Sequence, residues 1–277
     1  MFTLNCKGRL FTIDTPVVMG IINSTPDSFF SGSRQATVDD AVARASQMIA
    51  DGASILDIGG LSTRPGSEEI SADEEAARVT PVIAAIKARF PDTFISIDTY
   101  RASVAKEVVA AGADIINDIS GGLLDEAMLP TTASLHVPFI CMHMKGTPQT
   151  MPSLASYDNV VQEVLDFLIV QTENCRKAGI QDVILDPGIG FAKTIAHNFE
   201  LVKNLSVFSI LQRPILLGIS RKSMIYKTLH TTPENALNGT TVLHTAGLLN
   251  GAHILRVHDV KEAVEAVKLC GMLGVRC

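Results

Sequence analysis

Short apolar runs recur along the chain, and most carry a polar or charged residue at the carboxyl end. They are Val17-Val-Met-Gly-Ile-Ile-Asn23, Ser54-Ile-Leu-Asp-Ile-Gly-Gly60, Phe94-Ile-Ser-Ile-Asp-Thr99, Ile115-Ile-Asn-Asp-Ile-Ser120, Val137-Pro-Phe-Ile-Cys-Met-His143, Val183-Ile-Leu-Asp186, Pro214-Ile-Leu-Leu-Gly-Ile-Ser220 and His253-Ile-Leu-Arg-Val-His258. Near-continuous apolar character over so few residues predicts strands buried on both faces, as in a parallel sheet. Between them the apolar spacing switches to the helical period, with faces at Val38, Val42, Ala45 and Ile49, at Ala76, Val79, Ile83 and Ile86, at Val104, Val108 and Ala111, and at Val161, Val164, Leu165, Leu168 and Ile169. Thr37 with Asp40 and Ser71 with Glu74 predict capping boxes. Thr232-Pro233 predicts a further helix start, and Asp259 caps a final helix with Glu262 three residues on. Pro81 predicts a kink in the second helix. The junctions Asp51-Gly-Ala, Ala111-Gly-Ala, Ala178-Gly-Ile and Asn250-Gly-Ala each close a helix just before a strand.

Strands alternating with helices through short loops imply right-handed βαβ units. Eight units in 277 residues, near the typical length of about 250, predict a single (β/α)8 barrel over residues 1–277. An open doubly wound sheet is the alternative. Residues 1–16, with Phe2, Leu4, Leu10, Phe11 and Ile13 around Lys7-Gly8, read as a leader hairpin that covers the bottom of the barrel.

Composition narrows the function classes. The chain is 47% hydrophobic and 19% charged with a net charge of −6 and a pI near 5.6, which points away from nucleic-acid or membrane-surface partners. It has no tryptophan and three tyrosines, Tyr100, Tyr157 and Tyr226, too few for a base-stacking platform. The cysteines, Cys6, Cys141, Cys175, Cys270 and Cys277, are odd in number with no close pair, and read as reduced thiols of a cytoplasmic protein. No signal peptide or membrane-spanning run is evident.

In a barrel the carboxyl ends of the strands share one mouth, and chemistry collects there. This chain brings Asn23, Asp57, Asp98, Asn117, Asp118, His143, Asp186, Ser220 with Lys222, and Arg256 with His258 to those ends. Asp118 and Asp259 read as helix caps, and His136, His197, His230 and His244 as satisfied core or surface residues; His143 is open. Arg256 and His258, two apart on one strand, point to the same side and predict an anion site suited to phosphate. The Asn23 amide oxygen could place Mg2+ beside that anion. Asp98, Asn117, Asp186 and Lys222 form a deeper set able to read the donors and acceptors of a flat heterocycle; the alternative is a stabilising network of ion pairs. Asp186 opens Asp186-Pro-Gly-Ile-Gly-Phe191, where a strand delivers an acid beside a glycine loop that a flat ligand can approach closely.

Ile22-Asn-Ser-Thr-Pro-Asp-Ser-Phe29, Asp57-Ile-Gly-Gly-Leu-Ser-Thr-Arg-Pro-Gly66, Ser96-Ile-Asp-Thr99, Ile116-Asn-Asp-Ile119, Met142-His-Met144, Leu185-Asp-Pro-Gly-Ile-Gly-Phe191, Ser220-Arg-Lys-Ser223 and Arg256-Val-His258, in this order, resemble the dihydropteroate synthase family over essentially the whole chain. The resemblance implies condensation of 4-aminobenzoate with 6-hydroxymethyl-7,8-dihydropterin diphosphate to give 7,8-dihydropteroate and pyrophosphate. It implies that Asp98, Asn117, Asp186 and Lys222 hydrogen-bond the pterin, while Ile119, Met142, Gly218 and Arg256 contact or stack on it. It assigns the diphosphate to Asn23, Thr63, Arg256 and His258, with Mg2+ at Asn23. It assigns aminobenzoate to Phe29, Thr63, Arg64, Pro65, Phe191, Lys222 and Ser223, the last at a helix amino terminus that favours a carboxylate. Asp98, Asp186, Lys222 and Arg256 would carry the catalysis, through an SN1-like step.

Two features qualify the match. The first loop reads Phe29-Phe30-Ser-Gly-Ser33, where the family often has a more acidic, glycine-rich run, so a second metal contact there is open. Met144 to Tyr157 carries no obvious insertion that could exclude sulfonamides, so ordinary sulfonamide inhibition is expected. A pterin-dependent methyltransferase and a non-catalytic pterin- or phosphate-binding protein are the rival readings; the Ser-Thr-Arg-Pro and Ser-Arg-Lys-Ser segments argue against the first and the intact first two loops against the second. The family is usually dimeric, and Leu248, Leu249, Val264 and Leu269 would suit a homodimer or ordinary core burial equally.

Overall fold

A computed structural model of the chain describes residues 1–24, 34–61 and 70–277, with the side chains of residues 34–37 and Pro152 outside the description. The leader forms the expected hairpin: β1 (Phe2–Cys6) pairs antiparallel with β2 (Arg9–Ile13). Its turn places Lys7 and Gly8 at φ 54° and 86°, the left-handed pair that a two-residue hairpin loop requires.

Eight parallel strands follow: β3 (Val17–Asn23), β4 (Ile55–Gly59), β5 (Phe94–Asp98), β6 (Ile115–Asp118), β7 (Phe139–Met142), β8 (Val183–Asp186), β9 (Leu216–Leu217) and β10 (Ile254–Val257). Their order is β8-β7-β6-β5-β4-β3-β10-β9. An isolated parallel bridge between Leu185 and Ile215 joins the two ends into a barrel, supported by Leu185 N–H donating to the Pro214 carbonyl at 2.9 Å. β9 is shorter than its apolar run, because Pro214 has no N–H for the ladder. The helices are α1 (Arg34–Ala50), α2 (Ala72–Arg89), α3 (Ala102–Ala111), α4 (Met128–Leu135), α5 (Val160–Ala178), α6 (Ile195–Lys203), α7 (Ser223–Thr228), α8 (Leu237–Leu249) and α9 (Val260–Met272).

Alternation sorts each strand into two faces. Val18, Ile22, Leu56, Ile58, Ile95, Ile97, Leu185 and Leu217 pack outward against the helices. Met19, Ile55, Ile115, Ile140, Ile184, Leu216 and Ile254 meet inside the barrel, and the hairpin residues Leu4, Cys6, Phe11 and Ile13 close that cluster from below. This apolar plug is a dry floor. Two residues further along the same inward rows stand Asp57, Asn117, Met142, Asp186, Gly218 and Arg256, so each strand that supplies floor also supplies mouth.

Some local expectations needed correction. The Ser71 box forms, with Glu74 N–H on Ser71 Oγ at 3.2 Å and Ser71 N–H on Glu74 Oε2 at 3.0 Å, and α2 continues through Pro81. Helix α1 instead begins at Arg34, a turn before Thr37, because Arg34, Gln35 and Ala36 are themselves good helix formers. Helix α8 begins at Leu237, not at Thr232-Pro233; the Pro233 and Glu234 carbonyls turn to Arg221 Nη1 at 2.8 and 2.7 Å. Asp259 holds the cap position of α9 without a side-chain cap bond, since both its oxygens bind Arg221 at 2.8 Å. Asp118 does not cap a helix either: it accepts from Ser120 N–H, Ser120 Oγ and Gly122 N–H at 2.7, 2.7 and 2.9 Å and staples its own loop. The cysteines are free thiols. No described helix is long and apolar enough to cross a membrane.

Candidate functional site

The ladder brings Asn23, Gly59, Asp98 and Asn117 into successive register across β3 to β6. One strand tier below, Asp57 is fully buried. Arg256 reaches across from β10. Its Nε donates to Asp57 Oδ2 at 2.6 Å and its Nη2 to Asp98 Oδ2 at 2.6 Å. Asn117 Nδ2 donates to the same Asp57 oxygen at 3.2 Å. Burial alone would lower the Arg256 guanidinium, but Asp57 and then Asp98 outweigh it and raise it further, so it is a permanent cation. Burial pushes the Asp98 carboxyl up to about 7, Arg256 opposing and Asp57 adding to the rise.

Across the mouth, Asp186 accepts from Gly188 N–H at 2.7 Å and is raised by burial, against Lys222 and that N–H. Lys222 donates to the Ile189 carbonyl and lies 4.7 Å from the Phe191 ring centroid. Burial lowers its ammonium to about 8, with Asp186 opposing; Arg256 and Asp98 also act on it. The two halves of the mouth therefore share one field. A Cβ added at Gly218 would meet Lys222 Nζ at 3.9 Å and Leu216 Cδ2 at 4.0 Å, ordinary van der Waals distances. Ile119 and Met142 cluster with Met144, Met151 and Ala192 and with partly buried Phe191 and Tyr100, an apolar wall beside the polar tier.

Ser220 Oγ accepts from the His258 backbone N–H at 3.2 Å and lies 3.1 Å from its ring Nδ1, which leaves Nε2 without a partner among the described residues. Ser223 is the first residue of α7, a helix of six residues. Among the described residues no group of three or more His, Cys, Asp or Glu could hold a metal. The mouth offers instead the Asn23 amide oxygen: a Cβ added at Gly59 would sit 3.8 Å from Asn23 Oδ1 and 3.6 and 3.9 Å from Asp98 Cβ and Oδ2. The chemistry of that amide oxygen, a hard neutral donor, fits Mg2+ that keeps its other ligands as water and phosphate oxygen. Phe29, Thr63, Arg64 and Pro65 lie outside the described residues.

His143 resolves as structural. It points out of the barrel, 4.8 Å edge-on from Phe167, and burial drops its imidazole to about 2. Lys193, which sequence reasoning missed, donates to His143 Nδ1, the Gly188 carbonyl and the Phe191 carbonyl at 2.8, 2.9 and 3.0 Å. It thereby staples the loop that carries Asp186 and Phe191. Gly188 allows the close approach: at φ 70° a Cβ there would come within 1.9 Å of the His143 carbonyl oxygen. Lys193→Met is expected to cost about 2–4 kcal/mol, since it strands three buried or part-buried acceptors, and to lower Tm by about 5–10 °C; thermal unfolding checks this, and an unchanged Tm would remove the staple. The available signal was a lysine within a glycine- and apolar-rich turn, too weak alone.

Comparison with known proteins decides the family. Residues 19–258 match the model of the family described as pterin binding enzyme. The chain is 44% identical to the dihydropteroate synthase of Escherichia coli strain K12 over 96% of its own length and 94% of the relative's. The chain belongs to the dihydropteroate synthase family. As a family member it is an enzyme, a transferase. A solved Xanthomonas albilineans dihydropteroate synthase with 4-aminobenzoic acid superposes with a TM-score of 0.91 at 39% identity, covering 98% of each chain. The Yersinia pestis dihydropteroate synthase in a sulfonamide complex gives 0.92 at 39%, covering 99% of each. The (β/α)8 expectation is thus met by the family's own fold, and the open sheet is excluded by the closing bridge.

Proposed function

We propose that this chain condenses 4-aminobenzoate with (7,8-dihydropterin-6-yl)methyl diphosphate, releasing pyrophosphate and forming 7,8-dihydropteroate. The observation that carries the reading is the gathering of Asp98, Asn117, Asp186, Lys222 and Arg256 around one mouth, above a dry floor and beside the Ile119–Met142 wall. Acids and an amide on β5, β6 and β8 and cations following β9 and on β10 give that mouth both acceptors and donors for a flat pterin edge, and mispairing there is costly. Arg256 and His258 donate to the diphosphate. Mg2+ held at Asn23 supplies Lewis-acid stabilisation of the leaving group when bound. The C–O bond breaks first, with both electrons leaving on the pyrophosphate oxygen. Asp98 and Asp186 favour the cation that spreads from the methylene into the dihydropterin. The aryl amine lone pair then forms the C–N bond, and the amine proton is lost to solvent, so no strong general base is needed. Phe191, Lys222 and Ser223 take aminobenzoate, with Phe29, Thr63, Arg64 and Pro65.

The test is pyrophosphate release, which requires both substrates together, and aminobenzoate binding, which requires pyrophosphate or the pterin diphosphate first. A sulfonamide competes for the same place. Release without aminobenzoate, or aminobenzoate binding to the bare protein, would contradict the reading. The ionisations add a pH prediction. The acceptor role of Asp98 is lost as pH falls through about 7, and the cation of Lys222 as pH rises through about 8. The kcat/KM for the pterin diphosphate is therefore expected to be bell-shaped with its top between these values, and Lys222→Arg to carry the alkaline limb upward. A flat profile between pH 6 and 9, roughly a unit outside each limb, would remove both assignments.

A homodimer is part of this proposal. Leu249 and Leu269 are 57% and 68% exposed on α8 and α9, beside Met272 and Leu273 at 86% and 72%, an apolar face that suits a second copy. Leu248 is core, at 1% exposed, and drops out of the expected contact set. Sedimentation equilibrium decides the mass.

A further inference from the structure

We infer that Asp57 is a positioning residue, which aims Arg256 at the diphosphate and fixes the amide orientation of Asn117 toward the pterin; the inference rests on the reading above and deepens it. Asp57 is fully buried on an inward row of the barrel. Its Oδ2 accepts from Arg256 Nε at 2.6 Å, lies 2.6 Å from Arg256 Nη2, and accepts from Asn117 Nδ2 at 3.2 Å. Its Oδ1 has no partner among the described residues. Among the described residues, every hydrogen bond of the carboxylate thus goes to two residues assigned to substrate, and none to a helix end, a loop or the floor. A buried ion pair is a poor way to stabilise a fold, since apolar residues of similar volume serve as well or better. What the charge achieves here is geometric.

The Nε–Nη2 edge of Arg256 is spent on Asp57 and Asp98, and no described residue takes Nη1, so the guanidinium presents one end to an incoming anion. The planar fork makes that orientation specific in a way an ammonium could not. One of the two Asn117 N–H donors is likewise spent on Asp57, which fixes the way its oxygen and its second N–H face. An amide orientation is set by its hydrogen-bond network, and Asp57 is that network. Asp57 touches no reacting atom; it acts through its two neighbours.

The experiment is calorimetric binding of inorganic pyrophosphate, with Mg2+ in excess, to the wild type, Asp57→Asn, Arg256→Ala and the double variant, together with steady-state kinetics. Asp57→Asn is expected to weaken pyrophosphate binding about tenfold and to lower kcat/KM for the pterin diphosphate about 100-fold, in the range of a lost charge-assisted contact. KM for aminobenzoate should stay within about twofold. In the Arg256→Ala background the same substitution should change pyrophosphate affinity by less than about twofold, because coupled residues are not additive. Unchanged pyrophosphate affinity in Asp57→Asn, equal losses in both backgrounds, or no pyrophosphate binding by the wild type would overturn the inference. Failure of both Asp57→Asn and Asp57→Ser to fold would make the carboxylate structural and overturn it too. Wild-type protein that binds pyrophosphate but never turns over the substrate pair would refute the proposed reaction and leave the positioning role standing.

Discussion

Arg256→Ala is expected to reduce kcat/KM for the pterin diphosphate by about a thousandfold and to destabilise the fold by about 3–5 kcal/mol. Both losses come from one removal. The guanidinium is the shared cation of Asp57, which is fully buried, and Asp98, whose side chain is 17% exposed. Without it, two carboxylates on the neighbouring strands β4 and β5 are left with only the Asn117 amide donating to one of them. One of them must take up a proton, so the acceptor pattern offered to the pterin changes along with the loss of the phosphate donor. Stability should then fall most at high pH and recover as the medium becomes acidic, since protonation relieves the repulsion. Arg256→Lys keeps the charge but cannot bridge two carboxylates with a planar fork; it should recover part of the stability and little of the activity. Chemical denaturation at two pH values, with parallel kinetics, checks both halves. Near-normal turnover by Arg256→Ala would sink the site.

Asp186→Asn is expected to do the opposite to stability. It should lower kcat/KM about a thousandfold while leaving the protein at least as stable as the wild type at pH 8, about the ordinary upper end of cellular pH. The Asp186 carboxyl is raised by burial despite Lys222 and the Gly188 N–H. A carboxyl whose folded pKa is raised gives a fold that gains stability as pH falls, and its ionised form is a burden at neutral pH. An amide of the same shape removes that burden and keeps an oxygen for Gly188 N–H, 2.7 Å away. In the proposed reaction, which builds positive charge on the pterin, the charge is retained at a cost, the usual conflict between activity and stability. The variant should also move the alkaline limb of the pH profile downward, since Asp186 is what holds Lys222 up against its burial. A destabilised variant, or one with unchanged kcat/KM, would show that Asp186 is an ordinary ion-pair partner.

The pattern of legible and illegible features follows from the range of the forces involved. Strand runs such as Ser54–Gly60 and Phe94–Thr99 were readable because burial on both faces leaves a mark on every residue of the run. That same continuity hid the facing of each side chain. Nothing in Phe139–His143 says that Met142 lines the mouth while His143 turns out to Phe167 and Lys193. Asp57 was visible as a strand acid, but its depth below Asp98, and hence its grip on Arg256, depends on the stagger between β4, β5 and β10. The helix starts at Thr37 and Thr232 were misplaced for a related reason: local capping preference is weaker than the pull of neighbouring helix formers in one case and of the Arg221 guanidinium in the other.

From the residues alone come the number and kind of elements, the hairpin beneath the barrel, the collection of acids, amides and bases at strand ends, and the family. These depend on hydrophobic period, turn chemistry and motif, all of which act within a few residues. Which of those polar groups share a hydrogen bond is set by barrel closure, which brings Asp57 and Arg256, 199 residues apart, within 2.6 Å. Contacts between strands distant in the chain depend on register and stagger, and those are properties of the assembled sheet.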